Sequence, residues 1–270
     1  MSASRHGSLI AGSVITGALV AVAVLSRLWT PASPTRLAIA DKLKAPLVHG
    51  LLGTDQLGRD VLSLLMVGAW NSLSIAVVAV ALGAALGVAL GLTAAARGGL
   101  VEALVMRAAD VVFAVPPILS AMLLGAFLGT GPRTAVTAIA TFMVPVFARL
   151  SVGAGRRVLA RDFCLAARAA GKGQLAVTMQ HVLPNIAPQI AVQVALQLGL
   201  AFLTEAGLSF LGFGLPPPAA SWGRMLADAE TYLGVAPWLA IAPGAAIALA
   251  VLGFNLIGDG LVDLLDPRER

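Results

Sequence analysis

Charge is what this sequence has least of. Only 11% of its 270 residues are Asp, Glu, Lys or Arg, where soluble domains carry about 25%. With 59% of residues hydrophobic, too little polar surface exists to clothe a water-soluble globule, so the bilayer is the solvent. Cysteine is almost missing as well. Cys164 stands alone, which excludes an internal disulfide and leaves the redox compartment unmarked; it reads as a small packing residue rather than a nucleophile. The three histidines, His6, His49 and His181, are far apart in sequence. No HExxH, no GxSxG and no paired His/Cys ligand spacing occurs, so neither a metal site nor a hydrolase is expected. Gly171-Lys172-Gly173 only echoes a phosphate loop. Gly173 stands where Ser or Thr is needed, and no strand precedes it. The chain is expected to bind no cofactor and to carry no catalysis.

Apolar runs are what remains. Uncharged windows long enough to cross about 30 Å of hydrocarbon predict helices over Leu9–Ser26, Leu73–Ala95, Val105–Leu128, Thr134–Val152, Ile186–Phe210 and Ala236–Ile257. The run from Gly7 to Ser26 outlasts a signal-peptide core, so it reads as an uncleaved first span. The fourth span requires Arg149 to snorkel toward the interface, and Gly129–Arg133 makes the tight turn before it. The fold expected is an all-α integral membrane protein of about six spans, with both termini on the cytoplasmic side.

Orientation follows from the few cations. From Arg149 to Pro188 lie six Lys/Arg (Arg149, Arg156, Arg157, Arg161, Arg168, Lys172) against one acid, Asp162. With the amino terminus inside, the inner segments hold eleven Lys/Arg and the outer ones seven, as the positive-inside rule requires. All four tryptophans (Trp29, Trp70, Trp222, Trp238) and Tyr232 then fall at the outer side, as one interfacial belt. The net charge of +5 is accounted for by this orientation, and nucleic-acid binding is not expected.

Two stripes run along spans at every fourth residue. Ala79, Gly83, Gly87, Gly91 and Ala95 form a close-approach face, serving either packing within the subunit or contact with a second membrane subunit. Gln189, Gln193, Gln197, Ala201 and Glu205 form a polar one, which drifts about 40° per step. It provides either interhelical hydrogen bonds or a hydrophilic translocation path. Glu205 and Asp110 sit near span ends, where water or a basic partner can satisfy them.

The basic interval carries a resemblance. Ala166-Ala167, Gly171 and Leu183-Pro184 are similar to the EAA loop of membrane subunits of ATP-binding-cassette importers. Further stretches are Gly53–Asp60, Met106–Asp110, Thr204–Gly212, Pro216–Pro218, Ser221–Met225, Ala236–Trp238, Phe254–Gly260 and Asp266–Arg268. Together they resemble the "C" permeases of the dipeptide/oligopeptide/nickel type, over about four-fifths of the chain. The resemblance implies a type I importer transmembrane domain over 49–270, preceded by 1–48 with the first span. It implies that the loop near 149–188, at Asp162, Leu165, Ala166, Ala167, Arg168, Gly171, Leu183 and Pro184, docks on an ATPase through a helical hairpin whose second arm Pro184 helps end. Implied partners are a paralogous permease in a heterodimer, two ATPases and an extracytoplasmic solute-binding protein meeting the outer loop Gly212–Pro237, all at a bacterial plasma membrane. The implied cargo is a short peptide or similar small solute. Two departures stand out: Leu165 replaces the motif's glutamate, and Leu51 or Leu52 replaces a proline before Gly53. For Gly53–Asp60 an interfacial helix is expected, with Leu57, Val61, Leu64 and Leu65 lying down and Trp70 anchoring. The reading from another class, a self-sufficient channel or secondary carrier, predicts transport by this chain alone.

Overall fold

A computed structural model describes residues 2–265, and every regular element among them is a helix. In order these are α1 (Ser2–Leu25), α2 (Val61–Arg97), α3 (Gly99–Ala114), α4 (Pro117–Leu128), α5 (Pro132–Leu159), α6 (Asp162–Ala169), α7 (Gln174–Val177), α8 (Leu183–Phe210), α9 (Trp222–Ala229) and α10 (Trp238–Leu265). The closing stretch Asp266–Arg268 lies outside the described residues.

Five helical stretches are long and apolar enough to cross a bilayer: α1, α2, α5, α10 and the continuous run Gln174–Phe210. The sixth crossing differs from the single helix expected over Val105–Leu128. It breaks into α3 and α4, which are bent 89° apart. Val115 and Pro116 are extended, with ψ of 126° and 135°. Pro116-Pro117 is the reason, because neither residue offers an N–H and each forces its predecessor out of helical conformation.

Helix direction fixes the number of crossings. α2 and α5 run parallel: Gly83 faces Met143, Gly91 faces Ala148 and Ser151, and Ala95 faces Gly155. The chain between them must therefore cross back, and α3 with α4 does so. α1 and α10 are antiparallel, Leu9 meeting Gly260 and Ile15 meeting Gly253. Six crossings thus leave both ends of the described chain on one side. Helices also outrun the windows that announced them: α2 starts at Val61 rather than Leu73, and α5 ends at Leu159 rather than Val152. Hydropathy marks the stretch inside lipid, whereas backbone pairing continues wherever protein or water supports it.

The core centres on the α2–α5 seam, continued by Phe202 of α8, Trp222 of α9 and Phe254 of α10. A Cβ on Gly87 would reach 2.7 Å from Phe147 Cβ, and one on Gly91 the same distance from Ser151 Cβ. Gly83, Gly87 and Gly91 are all buried here. They let two backbones close together, as small-residue stripes do. Trp222 departs from the interfacial belt. It is buried, and Phe202 lies 5.3 Å from its ring.

Gly53–Asp60 is not an interfacial helix. It is a compact loop closed by a bridge between Thr54 and Asp60, with Gly53 and Gly58 at φ +76° and +73°. The Asp55 carboxylate accepts from the N–H of Leu57 and of Arg59, each at 2.8 Å, and from Arg59 Nε at 2.6 Å. Asp60 caps α2 by accepting from Ser63 N at 2.8 Å. Val61 and Leu64 are buried rather than lying on a membrane surface. The carboxylates explain the difference, since short Asp side chains satisfy turn and helix-start N–H groups that lipid cannot.

Candidate functional site: a helical hairpin at the basic end

The basic interval Arg149–Pro188 is less a loop than expected. Arg149, Arg156 and Arg157 ride on the extended α5, and the hairpin proper is α6, a turn, and α7 running on into α8. α6 ends in a left-handed glycine. Gly171 takes φ +82°, its N–H donates to the Arg168 carbonyl at 2.9 Å, and Lys172 N donates to Ala167 O at 3.1 Å. This paired pattern closes a helix where glycine removes the Cβ penalty. Lys172 Nζ then reaches across to Gln180 Oε1 at 2.9 Å and lies 3.3 Å from His181 Nε2.

Pro184 does not end the second arm. A π-turn over Thr178–Val182 precedes it, with Leu183 N donating to Thr178 O five residues back. Pro184 follows it within the continuous helical run Gln174–Phe210, at the junction of the π-turn and α8. Asn185 Nδ2 takes the His181 carbonyl at 2.7 Å. The arm therefore continues into the membrane as one run.

A small core fastens the hairpin to the bundle. Cys164, Val177 and Val182 are buried against Leu92 and Ala95 of α2 and Ala154 and Val158 of α5. Asp162, Leu165, Ala166, Arg168, Gly171 and Pro184 are exposed, and Ala167 and Leu183 half-buried. The exposed surface also includes Phe163, Leu175 and Met179, the last two on the second arm. Leu165 stands 50% exposed, so the hairpin shows apolar surface where the motif usually carries a carboxylate. Sequence reasoning missed Leu175, Met179 and the Lys172–Gln180 brace. Leu175 and Met179 line a groove with Leu92, Thr93 and Ala96 of α2, and Lys172 reaches Gln180 only once the Gly171 turn has reversed the chain.

The polar stripe of α8 does not stay on one surface. Gln189 is exposed and Gln193 half-buried, while Gln197 and Glu205 are buried. Four steps of about 40° carry the row from the periphery into the subunit. Glu205 is fully buried, so of the water or basic partner expected for it, water does not reach it within the subunit. Its Oε1 accepts from Ser209 Oγ at 2.6 Å, and no base faces it among the described residues. Asp110 does find a base. Arg149 Nη2 donates to its carboxylate, and the Arg149 guanidinium lies 4.7 Å from the Phe113 ring centre.

Residues 87–270 match the family described as "Binding-protein-dependent transport system inner membrane component". The glutathione transport system permease protein GsiD of Escherichia coli O157:H7 is 40% identical over 253 residues, 93% of this chain and 84% of the relative. The dipeptide transport system permease protein DppC of Alkalihalophilus pseudofirmus is 37% identical over 261 residues, covering 97% and 86% respectively.

Proposed function

The chain belongs to the family of binding-protein-dependent transport system inner membrane components, and from that premise we propose how its parts divide the work of an importer. It is a multi-pass permease subunit of the inner membrane. The hairpin from Asp162 to Pro184 is the ATPase dock, with Leu165, Ala166, Ala167, Arg168, Gly171 and Leu183 at the contact. The observation that carries this reading is its exposed small and apolar surface, at the end of the bundle where Arg97, Arg156 and Arg168 gather. That gathering supports a cytoplasmic placement of the hairpin and of both chain ends.

In this reading the subunit binds no cofactor or metal and hydrolyses nothing. A pair of ATPase subunits supplies the energy, a paralogous permease completes a heterodimer, and a solute-binding protein delivers cargo near α9 on the opposite side. Cargo of the short-peptide class is supported by relatives named for glutathione and dipeptide transport. The translocation path is assigned to Gln189 and Gln193, the stripe members at the α8 surface, where polar side chains face protein or water rather than lipid. Gln197 and Glu205 support that wall from within.

Ala166→Arg tests the dock, because Ala166 is exposed and a long charged side chain there disturbs no packing. The expected result is normal accumulation in the membrane with loss of ATPase co-purification and of peptide uptake. Unchanged co-purification would remove the hairpin from the ATPase contact.

A further inference from the structure

Two cavities lie end to end along α3, the first sharing Arg168 with the ATPase contact. The first, about 310 Å³, opens between the α2–α3 elbow and the end of α5, and is lined by Arg97, Gly98, Gly99, Glu102, Arg156 and Arg168. Its single carboxylate is committed, with Arg156 Nη1 2.6 Å from Glu102 Oε1. Arg97 and Arg168 have no acidic partner among the described residues. The cavity is therefore net positive, and the amino terminus of the 16-residue α3 opens in its wall. The second cavity, about 440 Å³, is walled by Leu90, Leu104, Val105, Ala108, Val112 and Val144, with no charged residue.

One helix face joins them. Glu102, Val105, Ala108 or Ala109, and Val112 recur at three and four residues, so they line one side of α3. The apolar cavity thus starts about 5 Å beyond Glu102 and ends about 15 Å beyond it. Leu100 and Leu104 are exposed beside it, which opens the groove to bilayer lipid.

We propose that this cleft binds one anionic phospholipid, its phosphate held between Arg97 and Arg156 and an acyl chain lying along Val105 and Ala108. A free anion would use only the first cavity and a neutral lipid only the second. A molecule with a negative head and an apolar tail at this separation uses both, and basic pockets between spans at the cytoplasmic interface hold such headgroups. The inference stands on the chemistry of the cavities and does not depend on the ATPase dock.

The test is native mass spectrometry of the full chain, purified with its co-purifying subunits and titrated with phosphatidylglycerol or phosphatidylcholine. One phosphatidylglycerol should bind at least about tenfold more tightly than phosphatidylcholine. The Arg97→Gln, Arg156→Gln pair should weaken it about thirtyfold, at roughly 1 kcal/mol per cation. Ala108→Trp, filling the apolar cavity from an exposed position, should weaken it too. Arg36→Gln in the opposite loop should leave it unchanged. Should the double variant release Glu102 and misfold, Arg97→Gln and Ala108→Trp each suffice. Equal affinity for the two lipids, or Ala108→Trp without effect, would overturn the proposal. So would displacement by glycerol 3-phosphate at equal concentration, which would mark a small-anion site alone.

Discussion

Trp222 donates its indole N–H to the backbone carbonyl of Leu65, 2.8 Å away, and so pins α9 to the amino-terminal half of α2. Gly68 makes the approach possible, since a Cβ there would lie 2.7 Å from Trp222 Cδ1. Gly68→Ala should lower stability by about 1–3 kcal/mol, the usual result of overpacking. Trp222→Phe, which keeps an aromatic ring against Phe202 but loses the donor, should cost about 1 kcal/mol. Both are read as lower melting temperatures of the detergent-solubilised subunit.

The α2–α5 seam offers a sharper contrast. Gly87→Leu must displace Phe147 or part the two helices, at about 3 kcal/mol or more. Ala85→Leu places the same side chain at an exposed position two residues away and should be tolerated. Quantifying each variant in membrane fractions distinguishes them. Equal amounts would mean that the seam is looser than its packing.

At the start of α2 the cap is a carboxylate whose Oδ2 also accepts from Ser63 Oγ, at 2.7 Å. Asp60→Ala should destabilise by about 1 kcal/mol, up to about 2, whereas Asp60→Asn keeps most of the cap. The loop Gly53–Asp60 should become protease-sensitive in the alanine variant first. Limited proteolysis of right-side-out vesicles is the measurement.

The ion pair between Arg149 and Asp110 ties α5 to α3 alongside the Arg156–Glu102 pair. Either charge alone at that depth has no counterion, so Arg149→Asp and Asp110→Arg should each reduce accumulation. Combining the two exchanges the signs and should restore it. Immunoblots of the three variants give the answer, and a double variant as poor as the singles would deny the pairing.

Some of this architecture was readable from residues. Consecutive apolar windows separated by arginines announced the spans, and the resemblance carried by Ala166-Ala167, Gly171 and Leu183-Pro184 implied the hairpin. The break at Pro116-Pro117 was visible as a dipeptide, yet a hydropathy window counts proline as merely uncharged. It registers no missing N–H. The polar row of α8 drifts about 40° per step, so over four steps it passes from the surface at Gln189 to the interior at Glu205, as its spacing implies. Trp222 departs from the belt because a belt position fixes depth in the bilayer and not the direction of the ring. Asp55 and Asp60 looked like loop charges, and only the folded turn reveals which N–H groups they serve.

α2 is 37 residues long and, unlike α5, α8 and α10, has no internal proline. At 1.5 Å per residue it measures about 55 Å, nearly twice the hydrocarbon thickness. Such a rod behaves as a stiff lever. A tilt imposed where Leu92 and Ala95 grip the hairpin must reappear at the capped loop on the far side, with the glycine seam as its fulcrum. Force applied at one membrane surface is thereby delivered to the other without any hinge between.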